Sequence, residues 1–288
     1  MSINNSLVQK KTNQRLGITA YLTADAVKNQ INSVVGGKNG TRFISSVVSA
    51  VNNNPALQEC TNQSILSGAL LGESLNLSPS PQLGQYYLVP FNDKNKGKVA
   101  QFQLGYKGYI QLAIRSGQYK KLNVLAIKEG ELIRFDPLNE EIEVRLIEDE
   151  EAREQAATIG YYAMFEYTNG FRKAIYWSKK KMEAHAMKYS KGYQAKKGYT
   201  FWEKDFDAMA YKTMLRQLIS RWGIMSIEMM TAMDSDMAVI NEDGTKNYVE
   251  TDDDNVIDME VVDEPQPQKT ESSDNERPAS AADALFGK

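Results

Sequence analysis

Helical spacing and hairpin spacing alternate along this chain. Together they predict an α+β fold: a small antiparallel sheet and β-hairpins packed with helices, followed by a disordered acidic C-terminal tail. Three observations carry that expectation. Residues 85–105 and 158–177 each read as a strand, a polar Gly-containing turn and a returning strand. Apolar residues recur at three- and four-residue intervals over 41–52 and 201–222. Residues 231–288 hold 16 Asp+Glu against 4 Lys+Arg, and the stretch after about 242 cannot bury enough apolar surface to fold alone.

The elements follow in order. Residues 1–35 are polar, with few apolar anchors, and read as a loosely held arm carrying one short helix over 23–34. Phe43, Ile44, Val47, Val48 and Val51 place an amphipathic helix over 41–52, and Pro55 follows its end. Ile65, Leu66, Ala69 and Leu70 mark a second helix over 62–71. Ser78-Pro79-Ser80-Pro81 then breaks regular structure. Strands at 85–91 and 99–105 enclose a turn with Lys94, Lys96 and Lys98, and Pro90 calls for an edge strand or a bulge. A helix over 107–115 ends at Gly117, and short strands follow at 120–128, 131–135 and 141–147. The hairpin 158–177 turns at Thr168-Asn169-Gly170. Ser178 is an N-cap for a helix to about Tyr189, and a Gly- and Lys-rich loop spans 190–199. The longest helix is expected over 201–222, stopped by Gly223, with a short helix over 224–233 after it.

A chain of 288 residues accommodates one large domain or two modest ones. The division expected is a polar arm at 1–35, a core at 36–238 and a flexible acidic tail at 239–288. Cys60 is the only cysteine, which rules out an intrachain disulfide and a cysteine-cluster zinc site. No apolar run approaches the roughly 20 residues of a membrane span, and the first residues lack a secretory pattern. A reducing cytoplasm is therefore the expected location.

Charge is unevenly distributed. Residues 1–230 carry 30 Lys+Arg and 21 Asp+Glu, so a basic body precedes the acidic tail. The surplus concentrates in residues 171–222, where 13 Lys+Arg meet only 4 Asp+Glu and 11 aromatic residues are interleaved. Such a mixture suits a polyanion bearing flat bases, with cations on phosphates and rings on bases. A solvated basic face over an aromatic core is the competing reading. On the helix expected at 201–222, Asp205, Met209, Lys212, Arg216 and Ser220 form one narrow stripe, which suits a groove floor.

Catalytic patterns are missing. No stretch satisfies the phosphate-binding loop, and Gly36-Gly37-Lys38-Asn39-Gly40-Thr41 reads as a flexible linker. His185, the only histidine, reads as a satisfied or surface residue. Asp234, Asp236 and the run 252–254 read as solvated tail, and the glutamates of 140–151 as a surface loop and helix start with weak Mg²⁺ affinity at most. No cofactor is called for. A binding protein is favoured over an enzyme, with a carboxylate- and Mg²⁺-dependent nuclease, a generic single-strand binder and a structural assembly protein as rivals.

Three motifs carry a resemblance. Leu75-Asn76-Leu77-Ser78-Pro79, Tyr86-Tyr87-Leu88-Val89-Pro90-Phe91 and the run from Gln103 through Gly105-Tyr106-Lys107-Gly108 to Arg115-Ser116-Gly117 resemble the central signature of the RecT branch of the RecT/Redβ single-strand annealing proteins. Tyr211-Lys212-Thr213-Met214-Leu215-Arg216 resembles that family's second block. The resemblance covers about 40–235. It implies a phage recombinase that needs no ATP, binds single-stranded DNA in a basic groove, assembles into rings or helical filaments and anneals complementary strands through a duplex intermediate. It also implies a phage 5′→3′ exonuclease and host single-strand binding protein as partners, the latter reached through the C-terminal region.

Annealing requires contacts to phosphates, which fix position while leaving base edges open. The expected phosphate contacts are Lys107, Arg115, Lys120, Lys121, Lys188, Lys191, Lys196, Lys197, Lys212, Arg216 and Arg221. Tyr193 and Trp202 are the expected stacking rings, with core packing the alternative for Trp202. The acidic tail is expected to compete for the basic groove or to mimic an acidic partner peptide.

Overall fold

The protein is described from a computed structural model, which covers residues 16–248 apart from 94, 95, 140 and 199. Residues 1–15 of the expected arm, the hairpin residue Lys94, the loop residue Tyr199 and the acidic stretch beyond 248 lie outside the described residues.

The chain opens with helices α1 (Ile18–Thr23), α2 (Asp25–Val35) and α3 (Gly37–Asn52). Leu22 and Ile31 are fully buried, so 18–35 belongs to the packed body and is not a loose arm. Gly36 adopts φ +82 at the end of α2, and Gly37 begins α3 at once, so the expected linker is a tight helix–helix junction. Gly40 presses on α2, where a Cβ would overlap the Asn32 side chain.

Helix α4 (Asn62–Ser74) is capped by the Thr61 hydroxyl, which accepts from the Ser64 amide at 3.4 Å. It is apolar on almost every side and lies directly on strands β1 (Tyr86–Asp93) and β2 (Gly97–Leu104). Gly72 makes that approach possible, because a Cβ there would overlap the Tyr86 ring. β1 pairs antiparallel with β2, and Pro90 lies on the edge strand, where its missing N–H costs no ladder bond. Two short strands then extend the sheet in the order β1-β2-β8-β9: β8 (Ala238–Ile240) and β9 (Lys246–Tyr248). Regular structure thus continues past the expected core limit at 238, and Val239 and Ile240 are buried.

Helix α5 (Tyr106–Arg115) follows β2 without a loop. A second sheet, ordered β3-β6-β7, comprises β3 (Tyr119–Lys128), β6 (Thr158–Tyr167) and β7 (Arg172–Ser178). A separate hairpin, β4 (Leu132–Asp136) and β5 (Glu141–Val144), is fastened at its base by Glu131. That fully buried carboxylate accepts from Arg153 Nε at 2.6 Å and the Lys128 amide at 2.7 Å. Arg153 comes from α6 (Glu150–Gln155), whose first turn is capped by Asp149.

Helix α7 (Lys179–Tyr189) starts at the expected Ser178 cap, whose hydroxyl accepts from the Lys181 amide. The loop after it contains one short helix, α8 (Lys191–Gln194). The expected 201–222 helix is broken: α9 (Phe201–Lys204) ends at Asp205, whose extended backbone (φ −149) lets its carboxylate cap α10 (Phe206–Trp222) by accepting from the Ala208 amide at 3.0 Å. Helix α11 (Ile227–Ser235) closes the helical set, starting three residues later than expected.

Two apolar clusters result. One joins α1–α5, the first sheet and α11; the other joins the second sheet, α7, α9 and α10. α10 serves both, placing Leu215 and Ile219 in the first and Ala210, Met214 and Leu218 in the second. Trp202 is buried in the second cluster against Phe206, 5.1 Å between ring centroids, so the core alternative holds for it. His185 sits beside Trp177, Tyr189 and Trp202. Burial, with Lys188 and Lys181 nearby, lowers its pKa to about 4. No helix among the described residues is long and apolar enough to cross a membrane.

Two outcomes follow from this packing. Gly108→Ala, which drives a methyl into the Gln85 carbonyl and the Leu104 side chain, is expected to lower stability by about 1–3 kcal/mol in urea unfolding. Gly37→Ala, with open space around it, serves as the neutral control. His185 has a folded pKa below the unfolded value, so its contribution is complete above about pH 6.5 and disappears as pH falls towards 4. His185→Phe is therefore expected to flatten the decline of the unfolding midpoint across that window.

Candidate nucleic-acid interface

The signature Gly105-Tyr106-Lys107-Gly108 has a packing explanation. A Cβ at Gly105 would overlap the Gly84 carbonyl, and one at Gly108 the Gln85 carbonyl. The two glycines let the first turn of α5 lie flat against the 84–85 backbone, where the Gly105 amide donates to the Gln85 carbonyl at 2.9 Å. Tyr109 then turns inward and is fully buried, while Lys107 is exposed beside Gly84 and Tyr87. The Lys107 ammonium lies 5.9 Å from the Tyr106 ring centroid.

Tyr87 links this corner to the loop after α7, because its ring meets Phe201 at 5.8 Å. Phe201 opens α9 and is 42% exposed. The loop before it is fixed by Glu203, whose carboxylate accepts from the Gly198 amide at 2.9 Å, the Thr200 amide at 3.1 Å and the Thr200 hydroxyl at 2.7 Å. The Gly198 amide and Thr200 hydroxyl hold that carboxyl below the usual range. α8 ends in a Schellman turn: the Lys197 amide donates to Gly192 and the Lys196 amide to Tyr193, both at 3.0 Å. Lys196 holds the left-handed position (φ +49) that glycine ordinarily fills. A cation is thus kept at a place where backbone preference argues against it. Lys196 and Lys197 are both exposed.

The thirteen expected contacts fall into separate groups. Lys107 stands beside Tyr87, whose ring meets Phe201; Lys196 and Lys197 are exposed on the loop that leads to Phe201, and half-buried Lys191 and exposed Lys188 precede them along the α7–α8 turn. The Lys188 ammonium lies 5.0 Å from the Tyr189 ring. Tyr193 is half-buried against Trp202 and Phe206. A second group sits at the far end of α5. Arg115 donates to the carbonyls of Leu75 at 2.6 Å and Asn76 at 3.3 Å, closing the end of α4. A bulge between Tyr119 and Lys121 lets both Lys120 and Lys121 reach Glu166, at 2.6 and 3.5 Å. Arg221 is exposed at the end of α10.

Lys212 and Arg216 are a correction. They do not floor an open groove; both turn inward onto Asp236. Lys212 Nζ is 2.9 Å from Asp236 Oδ1, and an Arg216 guanidinium nitrogen is 2.7 Å from Oδ2. The Leu104 amide also donates to Oδ1 at 2.9 Å. The Asp236 side chain is fully buried, so the solvated-tail reading of that residue fails as well. Burial draws the Lys212 ammonium below its ordinary pKa, with Asp236 opposing.

Sequence reasoning misses Tyr87, Phe201 and Asp236. Tyr87 stands in a strand, and only its neighbour across the fold gives it a role. Phe201 is absorbed into what reads as one continuous helix. Among the described residues no group of three or more His, Cys, Asp or Glu side chains is placed to hold a metal ion.

An α+β scaffold thus presents exposed lysines at the start of α5 and on the loop before α9, with the signature glycines packed behind the first. The RecT family profile matches residues 41–254, and the chain belongs to that family, which places it among single-strand annealing recombination proteins. It is 40% identical over 284 residues to a Bacillus subtilis (strain 168) protein described as uncharacterized protein YqaK, covering 96% of this chain and 92% of that one. It is 28% identical over 223 residues to Protein RecT of Escherichia coli (strain K12), covering 76% of this chain and 80% of that one.

Asp236→Ala, which strands a buried lysine and a partly buried arginine, is expected to cost about 3–5 kcal/mol in denaturant unfolding. Lys120→Ala, at an exposed pair, is expected to leave the midpoint almost unchanged.

Proposed function

We propose that the protein binds single-stranded DNA through the Lys107–Phe201–Lys196 corner and anneals complementary strands without ATP. The observation that carries this reading is the Tyr87–Phe201 ring pair with exposed Lys107 beside Tyr87 and exposed Lys196 and Lys197 on the loop that leads to Phe201, in a chain of the RecT family. The lysines neutralise phosphates, and Phe201 offers a ring face to a base without reading its Watson–Crick edge. Each subunit grips a short stretch, and assembly into rings or helical filaments multiplies weak grips along one strand. No covalent step and no cofactor belong to this mechanism. A phage 5′→3′ exonuclease supplies the strand, and the acidic C-terminal segment carries the contact to host single-strand binding protein.

Lys212 and Arg216 serve this site indirectly: their pairing with Asp236 fixes α10, and α10 carries Tyr211, whose ring meets Tyr106, next to Lys107, at 5.6 Å. The expected test is direct. Purified protein should accelerate pairing of complementary oligonucleotides in low salt without nucleotide triphosphate. Lys196→Ala with Lys197→Ala should weaken binding and make the log–log salt slope shallower by about 0.7 for each phosphate that is no longer neutralised. Phe201→Ala should weaken binding by about 1–3 kcal/mol with the slope unchanged. An absence of acceleration refutes the annealing reading.

A further inference from the structure

A basic surface outside that corner is left without a role. Strand β7 is an edge of the second sheet. Lys173 and Trp177 lie on the face of it that looks towards α10, opposite Phe165 and Tyr161 in register. They are four residues apart, about 13 Å along the strand. At one end the Lys173 ammonium sits 4.0 Å from the Trp222 ring centroid; at the other the Lys181 ammonium sits 4.4 Å from that of Trp177. Both tryptophan rings are half-buried, in contrast to Trp202.

The charge at the start of α7 is one-sided. Lys179, Lys180 and Lys181 fill the first turn of α7, with no acidic residue there. Among the described residues no carboxylate lies in ion-pair range of these three side chains. Lysines at that end of a helix oppose the backbone dipole. Arg221 adds exposed charge at the other end. The ring contacts Trp177–His185, His185–Trp202 and Trp202–Tyr193 separate this surface from the Lys191–Lys197 loop.

We propose that the β7 edge and the start of α7 form a second strand-binding track, which receives the complementary strand during annealing. This rests on the annealing reading above. A strand already bound repels an incoming one, and a second cationic surface offsets that repulsion and raises the local concentration of the complement. The lysine-on-tryptophan pairs suit capture and release. A phosphate draws each ammonium off its ring, a base takes the vacated face, and the exchange reverses when the bases leave to pair.

The test compares wild-type protein with Lys179→Gln/Lys180→Gln/Lys181→Gln, and separately with Lys173→Gln. Anisotropy gives the affinity for a first oligonucleotide, and a labelled complement gives the annealing rate with that first strand saturated. The expected result is first-strand affinity within about twofold of wild type and annealing slowed about tenfold. Annealing at the wild-type rate overturns the proposal, and so does a first-strand affinity that falls by the same factor as the rate, which would make this surface part of the first site. If the variants unfold, judged by circular dichroism, tryptophan emission of the wild-type protein decides. Quenching that appears only on adding the complement supports the track, whereas none, or quenching by the first strand alone, overturns it. Failure of the wild-type protein to anneal at all is a different outcome, since it removes the annealing reading itself.

Discussion

One buried carboxylate holds the architecture together. Asp236 stands at the turn from α11 into β8, and it receives Lys212 and Arg216 from α10 and the Leu104 amide from the end of β2. α10 belongs to both apolar clusters, so whatever fixes α10 fixes the two halves against each other. Two cations and one carboxylate in a buried place are costly unless every partner is satisfied. The arrangement meets that condition by bringing three donors to two oxygens. Met237, next in the chain, takes a left-handed backbone (φ +67) that lets the strand turn immediately back onto Phe102, whose carbonyl accepts from the Met237 amide at 2.8 Å. Local strain and buried charge are thus concentrated at the same point, where the last strands join the sheet.

From that constraint the functional corner follows. α5 is held between the 84–85 backbone and α10, glycine against carbonyl on one side and Tyr106 against Tyr211 on the other. Lys107 is therefore presented from a fixed turn of helix. The Lys196–Lys197 loop is equally constrained, by the Glu203 carboxylate and the Schellman turn. Rigid presentation matters for the phosphate grip proposed above, because a long lysine side chain already surrenders rotamer freedom on binding, and a wandering backbone would add to that loss.

Much of the scaffold is legible because its signals are local. Both hairpins declare themselves through alternation and turn residues, Ser178 through its capping chemistry and Pro90 through its intolerance of a central strand. What stays hidden depends on contacts across long sequence separations. The periodicity of 201–222 runs through Asp205 unbroken, so apolar spacing cannot reveal that its side chain starts a new helix. The Lys212–Arg216 stripe is indeed one face, but spacing cannot say whether that face meets solvent or a carboxylate at 236. β8 and β9 are three residues each and adjoin acidic sequence, too short for alternation to register. Leu22 and Ile31 lie in polar surroundings, where two anchors are too few to mark a buried helix pair. Of the candidate site, the resemblance points to Lys107 and composition to the cations around 196; the rings Tyr87 and Phe201 need the fold.

Pro90 has one more effect. A sheet's outermost strand ordinarily offers a row of amide donors that any passing extended segment can zip onto. β1 is such a border, and at its middle the imino ring removes the donor and pushes bulk outward. On this flank the chain is thereby shielded from sticking to other copies through backbone alone, so that contacts there are left to side chains, which selection can tune one at a time.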